Sequence, residues 1–365
     1  MILKTTSELD DVKVSLDELR SLVVGSSILG SGGGGNPRVG YMVLKTFLSN
    51  RGISSLEYTD QVSEEDHIVC AGGMGSPLVG VEKIPSGHEY VDAVKSLMSF
   101  LKVKFTKISP VEIGGINSVV PFIPSSVLGI PLLDGDGEGR AFPDLDMTTF
   151  HFNGIRVTPM SIVDERGNQV ILDTGTDTEA EKVARAITVR FGGRGYVALY
   201  PMGGAQYVKS AIKGSISRAM ELGKVLLDGG FESLLQGYGS LKFHGKVADI
   251  RRTQVHGFHG GLIRLEGLEE NKGEYAELFF RNEYLVLKRD RIVLTSPEII
   301  SLLDGAGNVV TSDSIKYGMR VNVVHIPVDR KWKEVGGYQV IKEKVLGEYM
   351  ALKRLDSEVP YHLNG

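Results

Sequence analysis

The sequence predicts two domains, an N-terminal layered α/β sandwich and a C-terminal β-rich, barrel-like domain. Up to residue 238, helix-like segments alternate with short apolar runs typical of buried strands. From residue 239 onward, short β-like runs follow one another at close spacing, separated by Gly, Asn or Asp, as in a sandwich or barrel. We therefore divide the chain into an α/β domain, residues 1–238, and a β-rich domain, residues 239–365.

The α/β half begins with a helix whose start carries a capping box. Ser15 is the expected N-cap and Glu18 lies three residues later. The remaining elements of this half follow from apolar periodicity and from Gly-rich stops. Helices are expected over residues 39–48, 89–101, 180–190 and 215–227, and strands over 67–71 and 196–200.

The C-terminal half is predicted to be almost entirely β. Turn-forming residues bound each short apolar run. The expected strands cover residues 243–249, 261–266, 275–280, 284–288, 291–295 and 317–326. The single tryptophan, Trp332, and the apolar strand edges would suit an interface of a homo-oligomer.

Composition excludes several classes of protein. The chain has 365 residues, a formal net charge of −4 and no Lys/Arg run, so it lacks the charge pattern of a nucleic-acid-binding protein. One cysteine, Cys70, allows neither an intramolecular disulfide nor a thiolate zinc cluster. We expect it to be a small buried side chain on a strand. Charged N-terminal residues and the lack of long apolar runs predict a cytoplasmic protein with no membrane contact.

The glycine run over residues 32–35 is the first candidate for function. A helix precedes it, whereas a dinucleotide-binding loop follows a strand, and no Lys-Ser or Lys-Thr follows it as in a nucleotide P-loop. Two interpretations stay open. The run is either a tight helix–helix turn or a nest of backbone amides for a carboxylate, a phosphate or a developing oxyanion.

Three further loops of similar character follow apolar runs. They cover residues 72–77, residues 111–118 with Glu112 and Asn117, and an acidic loop, residues 134–147. The acidic loop fails as an EF-hand because its twelfth residue is Leu145. Its carboxylates suit general acid–base catalysis or a divalent metal ion. We expect the four loops to form the walls of one cleft.

Two histidines, His256 and His259, are three residues apart and could share a metal ion. The glycines around them argue against a helix, and the sequence offers no obvious third ligand. A solvated β-turn is therefore the favoured interpretation.

Taken in order, these segments resemble the S-methyl-thiohydantoin desulfurase family, whose members are often found beside or fused to hydantoinase/oxoprolinase proteins. The resemblance covers nearly the whole chain. It rests on residues 29–37, 74–77 with 82–83, 112–117, 134–143, 281–283 and 317–321. It implies the same two-domain organisation and a substrate that is a five-membered cyclic imide or its S-methylated thio analogue. The paired histidines and Cys70 are not features of the resemblance.

A hydrolytic mechanism fits the resemblance and the loops. Asp136 or Glu138 is expected to be the general base, and Glu112 or Asp144 the general acid. A second set of residues is expected to bind the substrate, with Arg140 and the glycine amides holding a carboxylate or ring oxygen. That set is Gly33, Gly34, Gly35, Asn36, Met74, Gly75, Asn117 and Arg140.

Two alternatives remain. In the first, a divalent metal ion on the acidic loop, with His256 or His259, activates water. In the second, the chain is a non-catalytic accessory subunit or binding protein that partners a hydantoinase-like protein.

Overall fold

The computed structural model describes residues 12–16, 18–53, 55–75, 79, 82–255 and 258–358. The helices are α1 (Leu19–Leu29), α2 (Pro37–Ser49), α3 (His88–Leu101), α4 (Phe122–Leu128), α5 (Thr149–Phe152), α6 (Asp177–Arg190), α7 (Gly204–Ser210), α8 (Ser215–Gly237), α9 (Lys331–Glu334) and α10 (Gly337–Glu358), with 3₁₀ turns at Gly115–Ser118 and Glu269–Asn271. The strands are β1 (Val12–Ser15), β2 (Ser55–Thr59), β3 (His67–Gly75), β4 (Lys107–Pro110), β5 (Leu132–Leu133), β6 (Gly135–Asp136), β7 (Met160–Val163), β8 (Gln169–Leu172), β9 (Arg194–Gly203), β10 (Ile212–Lys213), β11 (Ser240–Val255), β12 (Phe258–Gly267), β13 (Tyr275–Arg281), β14 (Glu283–Lys288), β15 (Ile292–Thr295), β16 (Ile299–Asp304), β17 (Val309–Val310) and β18 (Arg320–Ile326).

The first sheet is mixed and lies between two layers of helices. Its strand order is β1-β2-β5-β4-β3-β9-β7-β8, with parallel pairing from β2 through β5 and β4 to β3. Val69 and Ala71 on β3 belong to the apolar core that contains α3, whereas Ile68 and Cys70 belong to the core that contains α6. Alternate residues of a strand thus pack on opposite faces, and the predicted layered sandwich is confirmed.

The second sheet is antiparallel and follows the order β15-β14-β13-β12-β11-β18-β16-β17. The β-rich character predicted for the C-terminal half is confirmed, although the described strands form an open ladder with β15 and β17 at its ends. The long helix α10, which follows this sheet, was not predicted. The division of the chain at residues 238/239 stays a prediction.

Two helix boundaries differ from the expected ones. Ser15 was expected to be the N-cap of the first helix, but it ends β1, and α1 begins at Leu19 with Glu18 as its N-cap. Ser15 and Glu18 exchange hydrogen bonds as a capping box does, with Ser15 N donating to Glu18 Oε2 at 2.8 Å and Glu18 N donating to Ser15 Oγ at 3.3 Å. In α8, the expected stop appears as a kink at Gly230 (φ 70°, ψ −167°), after which the helix continues to Gly237. Within the described ranges, no helix has the length and apolar character to cross a bilayer.

The turn after α1 joins the two sheets. Ser31 Oγ donates to the carbonyl oxygen of Ile300 at 2.7 Å, and the amide of Tyr284 donates to the Ser31 carbonyl oxygen at 2.6 Å. The amide of Ser312 donates to the carbonyl oxygen of Gly32 at 2.9 Å. The glycine run is therefore held directly against the second sheet.

Two side chains considered in the sequence are fully buried. Cys70 lies on β3 with no exposed surface, and burial raises the pKa of its thiol, as expected for a small core residue. Trp332 is also buried, and its Nε1 donates to the carbonyl oxygen of Glu138 at 2.8 Å. The expectation that Trp332 suits an oligomer interface is wrong, because the indole supports the acidic loop from inside.

Candidate functional site

A cavity of ≈ 90 Å³ lies where the four glycine-rich and acidic loops meet. This is several times the volume of about 10–15 Å³ that a cavity needs to hold one water molecule. It is lined by Gly34, Gly35, Gly73, Met74, Gly75, Val111, Glu112, Ile116, Asn117, Glu138, Phe142, Pro143, Asp144, Leu145, Arg185, Arg194, Val197, Leu199, Asn282 and Glu283. Every one of the four loops contributes to this lining.

Three buried glutamates line the cavity. Glu112, Glu138 and Glu283 are 6%, 4% and 2% exposed, and the Oε2 atom of each is buried without a hydrogen-bond partner. Burial raises the pKa of all three, and their mutual repulsion raises it further for Glu112 and Glu138, well above the ordinary value. Burial raises the pKa of Glu283 to about 7, against the opposing charge of Arg140. Burial and mutual repulsion therefore favour the protonated form of the carboxyls in this cluster.

Glu283 occupies the position that the sequence assigned to an anionic ligand. The amide of Gly34 donates to Glu283 Oε1 at 3.3 Å, and the amide of Gly33 donates to the carbonyl oxygen of Gly30 at 2.8 Å. Gly34 and Gly35 have φ values of 73° and 76°, which favour glycine. The glycine run thus has a feature of each interpretation: the Gly33 amide closes a tight turn, and one amide, that of Gly34, donates to a carboxyl of the protein.

Glu112 is oriented by an amide side chain. Asn117 Nδ2 donates to Glu112 Oε1 at 2.6 Å and to the carbonyl oxygen of Gly73 at 2.9 Å, while Asn117 Oδ1 accepts from the amide of Gly73 at 2.8 Å. Asn117 therefore ties Glu112 to the end of β3, where Met74 and Gly75 also line the cavity. These predicted residues are brought together.

Asp136 lies behind the cavity and does not line it. Its Oδ2 accepts hydrogen bonds from the amides of Ile113, Glu138 and Gly139 at 2.8, 3.1 and 2.8 Å. Burial raises its pKa to about 7 despite these bonds. The expectation that Asp136 could be the base is therefore corrected: its side chain holds the loop in shape and does not line the cavity.

Arg140 is also committed to the protein. It is fully buried, and its Nη1 donates to Ser296 Oγ at 2.9 Å and to the carbonyl oxygens of Pro297 and Glu298 at 3.1 and 2.7 Å. Its guanidinium carbon lies 4.4 Å from the centre of the Phe142 ring. Arg140 does not line the cavity, so the expected contact with substrate is corrected. It fastens the acidic loop to the second sheet.

Asp144 lines the cavity but is unsuited to be an acid. Arg281 Nη2 donates to Asp144 Oδ2 at 2.6 Å, and Lys344 Nζ lies 3.0 Å from the same oxygen. Burial alone would raise the pKa of Asp144, but these two positive charges outweigh it and hold the pKa below its ordinary value. The carboxylate stays ionised, which corrects its proposed role as proton donor.

The remaining predicted ligands are not in the cavity. Asn36 is exposed and caps α2, its Oδ1 accepting from the amide of Arg38 at 3.0 Å. His259 Nε2 lies 2.5 Å from Nη1 of Arg252, and burial lowers its pKa. His256 lies outside the described residues. Among the residues that are described, no group of three or more His, Cys, Asp or Glu side chains is placed to hold a metal ion.

Four polar residues of the cavity were given no role from the sequence, namely Arg185, Arg194, Asn282 and Glu283. Glu283 was quoted in the motif at 281–283 without a role, and Asn282 before it has a φ of 60°, which turns the chain sharply at the start of β14. Arg194 follows two glycines at the start of β9. A charged residue beside a turn is only a weak indication of a functional site, and neither Glu283 nor Arg194 lies near the acidic loop in the sequence.

Comparisons with known proteins agree with this architecture. A crystal structure of a protein from Chromobacterium violaceum superposes with a TM-score of 0.76 over 92% of this chain and 97% of that one, at 22% sequence identity. At this identity the similarity establishes the fold alone. None of the curated proteins compared with the chain matches it.

Two family models cover almost the whole sequence. Residues 17–174 match the model described as "S-Me-THD-like, N-terminal domain", and residues 175–354 match "S-Me-THD-like, C-terminal domain". The resemblance found in the motifs is thereby confirmed. With both domains present in order around one cavity, the chain belongs to the S-Me-THD-like family.

Proposed function

We propose that this protein is a hydrolase of five-membered cyclic imides of the S-methyl-thiohydantoin type, releasing a thiol. The observation that carries the proposal is the cluster of Glu112, Glu138 and Glu283, three buried carboxyls with raised pKa values in one small cavity. Carboxyls perturbed in this way are typical of acid–base catalysis. The family description supports the substrate class.

The reaction needs one base and one acid. Water adds to the ring carbon that bears sulfur, and the C–S bond then breaks, so that S-methyl-thiohydantoin and water give hydantoin and methanethiol. The base removes a proton from the attacking water. The acid protonates the ring nitrogen as charge builds on it, and the departing sulfur leaves with a proton as the thiol.

The pKa values divide these roles among the glutamates. Glu283, with a pKa raised to about 7, is ionised in a substantial fraction at neutral pH and is the base. Burial and the neighbouring carboxyls raise the pKa of Glu112 and Glu138 well above the ordinary range, which favours the protonated form that can donate. Asn117 positions Glu112 through the bond to its Oε1. Acid–base catalysis of this kind requires two groups whose environments give them different pKa values, so that one can act as the base and the other as the acid.

The test is a panel of hydantoins, thiohydantoins and S-methyl-thiohydantoins, with thiol release followed by a thiol reagent. Glu138→Gln and Glu283→Gln are compared with the wild type and with Glu343→Gln, an exposed glutamate on α10. We expect the two cavity variants to lose about 10²–10⁴-fold in turnover, and the control to lose none. Wild-type turnover in both cavity variants would overturn the proposal.

The same panel, run after chelation and with added zinc or magnesium, separates the two hydrolytic mechanisms. Turnover that survives complete metal removal supports acid–base hydrolysis by the glutamates. Turnover that is lost and then restored by one metal ion would contradict the mechanism written here, in which no metal ion activates water.

A further inference from the structure

Arg194 is a further charged residue of the cavity. It begins β9 and is paired with Gly75 of β3, so that its side chain lines the cavity beside the β3 loop. Its neighbours are phenols: Arg194 Nη2 lies 3.4 Å from the hydroxyl of Tyr90, and its guanidinium carbon lies 5.6 Å from the ring centre of Tyr196. Within the described part of the chain, no hydrogen bond or ion pair joins Arg194 to Glu112, Glu138 or Glu283.

Among the residues that the structure describes, no carboxylate pairs with the buried cation of Arg194. Its side chain is 7% exposed and its buried Nε has no hydrogen-bond partner. Glu89, which precedes Tyr90, is occupied by the amides of Ser86 and Gly87. By contrast Arg185, the other arginine of the cavity, forms a 2.6 Å ion pair with Glu181.

A charge buried in this way is costly unless an anion completes it. Guanidinium presents a planar fork of donors that fits a carboxylate. Beside the three glutamates, a carboxylate would be repelled. The place that suits an anionic group in this cavity is therefore beside Arg194.

We infer that Arg194 binds a carboxylate carried on the substrate ring, so that the substrate class is a cyclic imide with an acidic side chain. This inference rests on the proposed function. The carboxylate lies at Arg194 and the reacting ring carbon at the glutamates, which orients the ring.

The kinetic test compares two S-methyl-thiohydantoins that differ in charge but not in shape. One carries a carboxymethyl group on ring carbon 5, and the other carries a carbamoylmethyl group there. We expect the wild type to favour the acid by about ten- to hundred-fold in kcat/KM. Arg194→Met should bring the ratio close to one, mainly through KM, and Arg194→Lys should retain part of it.

Two further variants guard the test against a folding defect. Tyr90→Phe removes only the hydroxyl beside Arg194 and should lower the preference for the acid. Arg190→Met, at the exposed end of α6, is the matched arginine control and should leave the preference unchanged. Equal use of both substrates by the wild type, or an equal loss for both in Arg194→Met, would overturn the inference.

A binding measurement separates this inference from the proposed function. Calorimetry with hydantoin-5-acetic acid and its amide requires no turnover. Tighter binding of the acid that disappears in Arg194→Met supports the anion site even if neither thio substrate is hydrolysed, in which case the proposed reaction alone fails. Equal binding of acid and amide by the wild type contradicts the anion site, whatever the enzyme hydrolyses.

Discussion

The amide of Gly34 donates to Oε1 of Glu283 at 3.3 Å, although the two residues lie 249 positions apart in the chain. This contact closes the glycine run with a carboxylate from the second sheet. Gly33 allows the approach, because a Cβ built there would lie 2.0 Å from Glu283 Oε1. The glycines therefore position a carboxyl of the cavity.

The first prediction follows from that close approach. Gly33→Ala should displace the carboxyl of Glu283 and lower turnover by about a hundred-fold, the scale expected when a reacting group moves by about 1 Å. Thiol release measures the loss. Gly175→Ala is the control, since a Cβ at Gly175 meets nothing within 4 Å. Wild-type turnover in Gly33→Ala would show that the position of Glu283 does not matter.

The pH dependence of the reaction should report the base. The pKa of Glu283 is raised to about 7, and the ionised form is the one that removes a proton, so kcat/KM should rise with pH to a plateau above about 7. Glu283→Gln should remove this rise together with most of the activity. A pH profile that is the same in the variant and the wild type would assign the base to another group.

Asn117 should act through Glu112. Asn117→Asp keeps the size of the side chain but replaces the donor to Glu112 Oε1 with an oxygen that repels it. We expect the pKa of Glu112 to rise further and kcat to fall, with less effect on KM. Kinetics measured from pH 5 to 9 test this, with Asn308→Asp, on an exposed turn, as the control. A loss confined to KM would instead make Asn117 a substrate ligand.

The protonation of Asp136 should make the stability of the folded protein depend on pH. Its pKa is about 7 in the folded protein against an ordinary 3.8, so the folded state favours the protonated form. Its contribution to stability is present in full below pH 3.8 and is lost as the pH rises to about 7, by about 4 kcal/mol. Asp136→Asn should flatten this change, because its amide oxygen still accepts from the backbone. Denaturant unfolding at pH 4 to 8 measures the difference between the two proteins, and parallel curves would contradict it.

The ion pairs at Arg281 should be structural. Arg281→Met leaves Asp144 buried with only Lys344 as its partner, and should destabilise the fold by about 3–5 kcal/mol. The control is Arg166→Met, which removes an exposed pair with Glu165 and should cost less than about 1 kcal/mol. Chemical unfolding distinguishes the two. Equal, small effects would mean that Asp144 is adequately paired by Lys344.

Most helices and strands could be predicted because the residues that determine them lie close together in the sequence. The capping box at Ser15 and Glu18 and the buried strand that became β3 depend on residues next to one another in sequence. Helix α10 was missed because its apolar side chains pack against the second sheet, a partner that is not visible from its own sequence. The open ends of that sheet were not predicted either, because they depend on pairing between strands that are distant in sequence.

For the site, the sequence identified the loops more reliably than the roles within them. Glu112, Glu138 and Asn117 do line the cavity. Asp136 was expected to be the base and Arg140 a substrate ligand, because acidic and basic residues near glycines suggest chemistry. Neither lines the cavity, and Asp136 Oδ2 and Arg140 Nη1 are bonded to the protein, although Asp136 Oδ1 and Arg140 Nη2 are buried without a hydrogen-bond partner. Their partners, among them Ile113 and Ser296, are distant in sequence, so only the folded arrangement reveals that they are occupied.

The contact of the glycine run with the second sheet has a consequence for dividing this chain. Glu112 and Glu138 belong to the segment that matches one family model, and Arg194 and Glu283 to the segment that matches the other. Two polypeptides cut between residues 174 and 175 would each carry half of the ionisable groups and no complete reaction centre. Activity would return only with their reassembly, so thiol release would report directly on the docking of one fragment against the other.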